Sequence, residues 1–193
     1  TPNAATNYAA AINGQLWDTT EHRGTCVCAA AGTFSNWRIV LPSAPGGTAS
    51  YTFRLRINQV NSAAVIIISG TATSGTYTSA ITVADGDELA ISSVPSGTPT
   101  ASTASISWDF NPTTAGQSVF GGGGNTAGPI AIDRTNRVLW PVDITNWDVG
   151  NGQEMVPAAG TIGKYWVKLD VDVGGVTSIT FTITKNGTDQ DGT

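Results

Sequence analysis

The feature that most constrains this chain is an internal repeat. Residues 30–58 read AAGTFSNWRIVLPSAPGGTASYTFRLRIN, and residues 158–186 read AAGTIGKYWVKLDVDVGGVTSITFTITKN. Ala30 and Ala158 stand 128 positions apart, as do Asn58 and Asn186, so the two segments align without a gap between their ends. The opening Ala30-Ala31-Gly32-Thr33, Leu41/Leu169, Gly46-Gly47/Gly174-Gly175, Ser50/Ser178, Thr52-Phe53/Thr180-Phe181 and Asn58/Asn186 are identical. A duplication at a fixed spacing sets the unit of architecture ahead of any local signal.

The repeated unit carries the period of a β-strand. Residues 34–41 place Trp37, Ile39 and Leu41 on one face and Asn36, Arg38 and Val40 on the other. The second copy keeps that parity with Tyr165, Val167 and Leu169. Alternation at period two marks a half-buried strand. Residues 42–48 hold two prolines and Gly46-Gly47, which break strands and make turns. Residues 51–57 alternate again, with Tyr51, Phe53, Leu55 and Ile57 inward and Thr52, Arg54 and Arg56 outward. A slip of one residue would expose every aromatic, so the register is well specified.

Further strands are predicted at 25–29, 64–68, 77–83, 88–92 and 104–110. The run AVIII at 64–68 is continuous and apolar, which predicts a strand covered on both faces. Residues 69–76 and 95–103 are rich in Ser, Thr and Gly and predict loops. Asp85-Gly86 is a turn dipeptide. In the last strand Ile106, Trp108 and Phe110 share a face. Seven or eight short strands within one unit predict an all-β fold, a jelly roll or β-sandwich.

The organisation that follows is an extended N-terminal arm at 1–15 and a first unit at 16–111. A Gly-rich linker at 112–137 contains Gly121–Gly124, and a second unit occupies 138–193. The second unit holds no equivalents of residues 64–110 within this sequence. A half sandwich would leave an apolar face and a strand edge open. Three expectations follow: a sequence shortened at its end, cover from the arm and linker, or completion by strands of a neighbouring subunit.

Composition narrows the function classes. Apolar residues make up 40% and charged residues 12%, a balance that favours a packed core over disorder. A net charge of −5 does not suit a nucleic-acid binder, which needs a basic face. No apolar run is long enough to span a membrane as a helix. The two cysteines, Cys26 and Cys28, lie at i and i+2. Strand neighbours so spaced share a face but stand too far apart for an unstrained disulfide. Buried free thiols are expected, with pairing between subunits as the alternative.

The order of the pieces resembles a module of phage and environmental virion proteins. In that module a PAAGTxSNxxVxL strand, a Gly-rich loop and an xxTFxLRxN strand come first. A Ser/Thr/Gly loop, a VxxGDxxxI turn and strand, and a PSGTPTA loop follow. Here these are residues 30–41, Gly46-Gly47, 51–58, 69–76, 83–91 and 95–101. The match covers the first unit and the first half of the second. Gly86-Asp87 before a strand is also similar to the C1q/TNF-type jelly roll, whose members are usually trimers. The resemblance implies a capsid decoration, head-fibre or tail-fibre part, without enzymatic activity or cofactor. The cysteine pair, the long Trp-rich openings of each unit and the missing half unit depart from the pattern.

Candidate chemistry is sparse. His22 is the single histidine and follows Thr19, Thr20 and Glu21 with no nucleophile motif beside it, so a surface role is expected. With Cys26 and Cys28 it makes only three soft ligands, short of a closed zinc site. Asp189 and Asp191 alternate as in part of a Ca²⁺ loop, but Gly187 occupies the position of the first acid. The competing reading is a hairpin turn at Asn186-Gly187. Asp85 with Asp87, and Asp170 with Asp172, are carboxylate pairs in loops. Six tryptophans are many for this length. Trp37 and Trp108 fit the inward parity. Trp17, Trp140 and Trp147 lie at unit openings, and Trp166 falls on the outward face, so these four are candidates for a subunit interface or a glycan platform. Arg38, Arg54 and Arg56 are expected on one outward face.

The sequence therefore predicts a structural protein of a virion surface or fibre. It would assemble as a homo-oligomer, first of all a trimer, with other virion subunits and surface glycans as further partners, and with no nucleic acid or membrane partner. The alternatives are a subunit of an extracellular cellular filament joined by strand exchange, and a carbohydrate-binding module.

Overall fold

The computed structural model describes residues 4–12, 17–119, 161, 166–167, 180, 182–185 and 188–190. Nine strands of the first unit form two antiparallel sheets packed as a β-sandwich. They are β1 (Asn7–Ala10), β2 (Cys26–Val27), β3 (Gly32–Val40), β4 (Ser50–Ile57), β5 (Val60–Ser69), β6 (Ser74–Tyr77), β7 (Ile81–Val83), β8 (Glu88–Ser96) and β9 (Ser105–Pro112). The first sheet runs β1-β8-β4-β5, with β2 also on β8. In the second, β6 and β7 both pair with β3, and β9 pairs with β3 as well. The hairpin β4–β5 stays within one sheet. The chain then visits the other sheet before β8 returns beside β4, a Greek-key style of connection.

The inward stripes meet between the sheets. Trp37, Ile39, Tyr51, Phe53 and Ile68 are fully buried, and Leu41 and Leu55 nearly so. Trp37 stacks on Trp108 with ring centroids 4.7 Å apart and planes 4° from parallel. Phe34 is buried too, although it has the parity of outward Asn36. The reason is a bulge. Ser35 pairs with Asp109 and Arg38 with Ser107, so Asn36 and Trp37 together oppose Trp108. Asn36 takes a φ of 51°, a left-handed conformation that asparagine tolerates well. Its Nδ2 donates to Asp109 Oδ2 at 2.6 Å.

Four expectations are corrected. The N-terminal arm is not separate from the first unit, because β1 pairs with β8 and buries Ala9 and Ala10. Residues 64–68 are covered on one face only: Ala64, Ile66 and Ile68 are buried, while Ile67 is 62% exposed. The run lies in β5, at the margin of its sheet, and not in a doubly covered centre. The predicted loops at 69–76 and 95–103 are shorter than expected: β6 takes up 74–76, and β8 runs on through Pro95 and Ser96. Pro95 is tolerated there because β1 stops opposite Ser93, which leaves that side of β8 without a ladder to break. Arg38 lies on the outer face of one sheet and Arg54 and Arg56 on the outer face of the other, since β3 and β4 belong to different sheets.

β2 continues the line of β1 along β8. Ala10 pairs with Ala90, and Cys26 with Leu89. The intervening chain leaves the strand and returns, packing a short 3-10 turn, Glu21–Gly24, on β1 and β8.

In the second copy, β10 (Ile183–Lys185) and β11 (Thr188–Gln190) form an antiparallel hairpin. Lys185 pairs with Thr188 and Thr184 with Asp189. In the first copy Ile57 pairs with Val60 and Arg56 with Asn61, the same positions under the repeat. The linker at 112–137 beyond residue 119, and the rest of the second unit, lie outside the described residues.

Candidate functional site

Among the described residues the titratable groups are dispersed or neutralised. His22 is exposed on the 3-10 turn. Among the described residues no cluster of three His, Cys, Asp or Glu side chains could hold a metal ion. Cys26 and Cys28 are free and buried. Burial pushes the Cys26 thiol up to about 11 and also raises Cys28. Such thiols stay protonated and do not act as nucleophiles at neutral pH. Cys28 Sγ donates to the Ala30 carbonyl at 3.1 Å, and neither sulfur reaches a surface where a second subunit could pair with it.

Arg56 is the best-anchored charge. Its Nε and Nη2 donate to the two carboxylate oxygens of Glu21 at 2.5 and 2.9 Å, a bidentate pair. Nη1 donates to Asn61 Oδ1 at 2.6 Å, and Nη2 also donates to the Gln59 carbonyl. The guanidinium lies 5.7 Å from the centre of the Tyr8 ring. The hydrogen bonds that Arg56 donates to Glu21 raise its pKa further. These bonds tie the 3-10 turn to the β4–β5 hairpin, so Arg56 serves the fold and presents no free cation to an acidic partner.

Asp87 is likewise absorbed by structure. Its Oδ1 accepts from Asn58 Nδ2 at 2.7 Å, and its Oδ2 from the Ala84 amide at 2.7 Å. Asn58 Oδ1 accepts from the Glu88 amide at 2.9 Å. The Gly86-Asp87 step therefore links the hairpin turn to the start of β8. Asp85 accepts from Trp166 Nε1 at 2.9 Å.

The tryptophan candidates separate by position. Trp17 is half-buried, with its ring 6.1 Å from that of Phe53, and belongs to the core margin. Trp166 is 52% exposed and its indole N–H is engaged by Asp85, but Val167, expected on the inward face, is 43% exposed as well and neither residue lies in a strand, so the alternation of the first copy does not separate them here. Trp140 and Trp147 lie outside the described residues. Asp189 stands in β11 opposite Thr184, while Asp191 lies outside the described residues, as do Asp170 and Asp172.

Two open features stand out among the described residues. Between Ala11-Ile12 and β9 lies a cavity of about 280 Å³ lined by Phe34, Ile106, Trp108, Phe110 and Val119. Apart from Ser107 its lining residues are apolar or aromatic, with polar atoms exposed between them. On the other flank is the outer edge of β5, which sequence reasoning placed in the sheet interior. Its position at an edge depends on pairing across the whole sheet, and nothing local in AVIII signals it. The chain matches no known family model, no curated protein and no solved structure.

Proposed function

We propose that this chain is a structural building block of a virion surface or fibre, assembling with copies of itself through its sheet margins. The observation that carries the reading is the edge strand β5, ten residues without a charge or a proline. Val60 and Ile67 on it are 67% and 62% exposed. Soluble sandwiches blunt such edges with lysine or proline, because an open apolar edge recruits another strand; the irregularity in β5 is confined to Asn61–Val65 and leaves Val65–Ser69 regular. The dispersed state of the titratable groups supports a role in which shape and apolar burial do the work. The resemblance of the ordered motifs at 30–58 and 83–101 to virion modules supplies the setting.

The same edge would serve an extracellular filament, and the two settings differ in closure. A closed contact yields discrete oligomers, whereas an open head-to-tail one yields polymers. Sedimentation and negative-stain electron microscopy of the purified chain, with gold-labelled antibody on particles from its source, test the proposal. Discrete oligomers and labelled particle surfaces are expected. Helical polymers would favour the filament, and a monomer at every concentration without particle labelling would overturn both. For the glycan reading, Trp166 is the exposed candidate among the described residues, and saccharide-dependent quenching of its fluorescence is the discriminating signal.

A further inference from the structure

The margins of the two sheets are not treated alike. The outer side of β1 is bridged: the Tyr8 amide donates to the Asp18 carbonyl at 2.7 Å, and the Asp18 amide to the Tyr8 carbonyl at 2.9 Å. β9 carries Asp109 and ends on Pro112. β6 and β7 are four and three residues long and are separated at residues 78–80. Each of these is a recognised way to discourage a further strand. Among the described residues β5 has no bridge on its outer side, no charge and no proline, and its irregular pairing is confined to Asn61–Val65.

We propose that β5 is a two-fold contact, in which the edge of one copy pairs antiparallel with the same edge of a second copy. The inference rests on the building-block reading above and specifies the contact. Charge selects the occupant. Among the described residues β5 is the one strand longer than four residues that carries no charge; β3 has Arg38, β4 has Arg54 and Arg56, β8 has Glu88 and β9 has Asp109. β3, β4 and β8 already have partners on both sides, and the free side of β9 would set the charge of Asp109 beside exposed isoleucine and valine. A second β5 buries none.

The register follows from the ladder already formed. β5 departs from regular pairing with β4 between Asn61 and Val65, and from Val65 to Ser69 it is regular. The middle of that regular stretch is Ile67. A two-fold axis there sets Ile67 opposite Ile67, Ile66 opposite Ile68 and Val65 opposite Ser69. Buried Ile66 and Ile68 remain on the core side, and the exposed Ile67 side chains meet on the outer face. The two five-stranded sheets then join into one continuous sheet. Such pairing is isologous and closes on itself.

The test uses the whole chain. Analytical ultracentrifugation of the wild type is expected to show a reversible dimer. Ile67→Lys puts two like charges face to face, and the dissociation constant is expected to rise at least about 30-fold, the size of a hot-spot loss. Because Ile67 is exposed, the thermal melt of the monomer should hold, and a collapsed melt would be set aside in favour of the second variant. Ile67→Cys should form an interchain disulfide under mild oxidation, while Val60→Cys, exposed but off the axis, should not. A wild-type monomer at all concentrations overturns the contact, as does a dimer indifferent to Ile67→Lys or cross-linking that is equal at both cysteine sites. Oligomers that survive Ile67→Lys would remove this contact and leave the building-block reading standing. Loss of all self-association and particle labelling in the wild type would remove both.

Discussion

Along the β5–β6 flank the side chains of one sheet meet the backbone of the other, and along the β1–β9 flank the sheets are propped apart by rings. At the first, Gly75 of β6 faces Ile66, and a Cβ on Gly75 would overlap that side chain. Ile66 and Ile68 are 3% and 0% exposed. At the second, Ile106, Trp108 and Phe110 are only half-buried and border a cavity of about 280 Å³. In sequence residues 104–110 alternate, whereas 64–68 are a continuous apolar run. Parity states which face a side chain takes, but the depth of burial depends on how closely the facing strand approaches. That approach is set by small residues such as Gly75, whose effect no period reveals.

The largest expected effect tests the boundary between these regimes, the stacked pair Trp37–Trp108. Trp37 is fully buried, and Trp37→Ala should cost about 4 kcal/mol in urea denaturation. Trp108→Ala, on the half-open side, should cost about half as much. Trp37 Nε1 is buried without an acceptor among the described residues, so Trp37→Phe gives up no hydrogen bond and should cost much less than the alanine variant. Equal losses at Trp37→Ala and Trp108→Ala would erase the distinction between the flanks.

Next in size is a pH effect confined to the open flank. Cys26 lies beside the Ala11-Ile12 backbone that lines the cavity, and burial lifts its thiol from 9.0 to about 11. The unfolded chain releases this proton first as pH rises. Stability from this group is therefore complete below pH 9.0, falls through the interval up to about 11, and is lost above it. The fall should be on the order of 2–3 kcal/mol. Chemical denaturation at stepped pH should show it in the wild type and a flatter profile in Cys26→Ala. Parallel profiles would mean that water reaches the thiol and that the flank is more open than its geometry indicates.

On the closed flank, Gly75→Ala should cost about 2 kcal/mol through overpacking against Ile66. Ile66→Val alone should cost about 1 kcal/mol. Made together they should cost less than the sum, because the shortened side chain makes room for the new methyl group. Strict additivity would place the tight approach elsewhere.

Much of this architecture was legible in the residues. The stripes Trp37-Ile39-Leu41 and Tyr51-Phe53-Leu55 gave strand, face and core, because a period of two depends only on neighbours along the chain. The bulge at Asn36 was not legible, since it needs the count of residues on β9 as well as on β3. The edge position of β5 was hidden for a related reason: AVIII reads alike in a central strand and at a margin. Arg56 looked like a free cation until the Glu21 turn folded over it, a contact thirty-five residues distant in sequence. Trp166 is exposed as expected, but so is Val167, which parity placed inward; the hydrogen bond from Trp166 to Asp85 joins the two repeats, and no pattern within either one implies it.

The smallest expected effect turns on the hairpin that feeds the β5 edge. In the first repeat Asn58 and Gln59 have φ angles of 51° and 66°, the left-handed pair of a two-residue type I′ turn. Asparagine accepts this conformation, while a glutamine with its Cβ pays about 1 kcal/mol for it. The second repeat has Gly187 at the position of Gln59, between strands paired in the same register. Gln59→Gly should therefore stabilise the first unit by about 0.5–1 kcal/mol, the steric relief exceeding the added freedom of the unfolded chain. The Gln59 carbonyl, which accepts from Arg56, is backbone and survives the change. A matched pair of thermal melts measures the gain. A loss instead of a gain would mean that the glutamine side chain contributes at this corner, and that the two copies of the turn are held by different means.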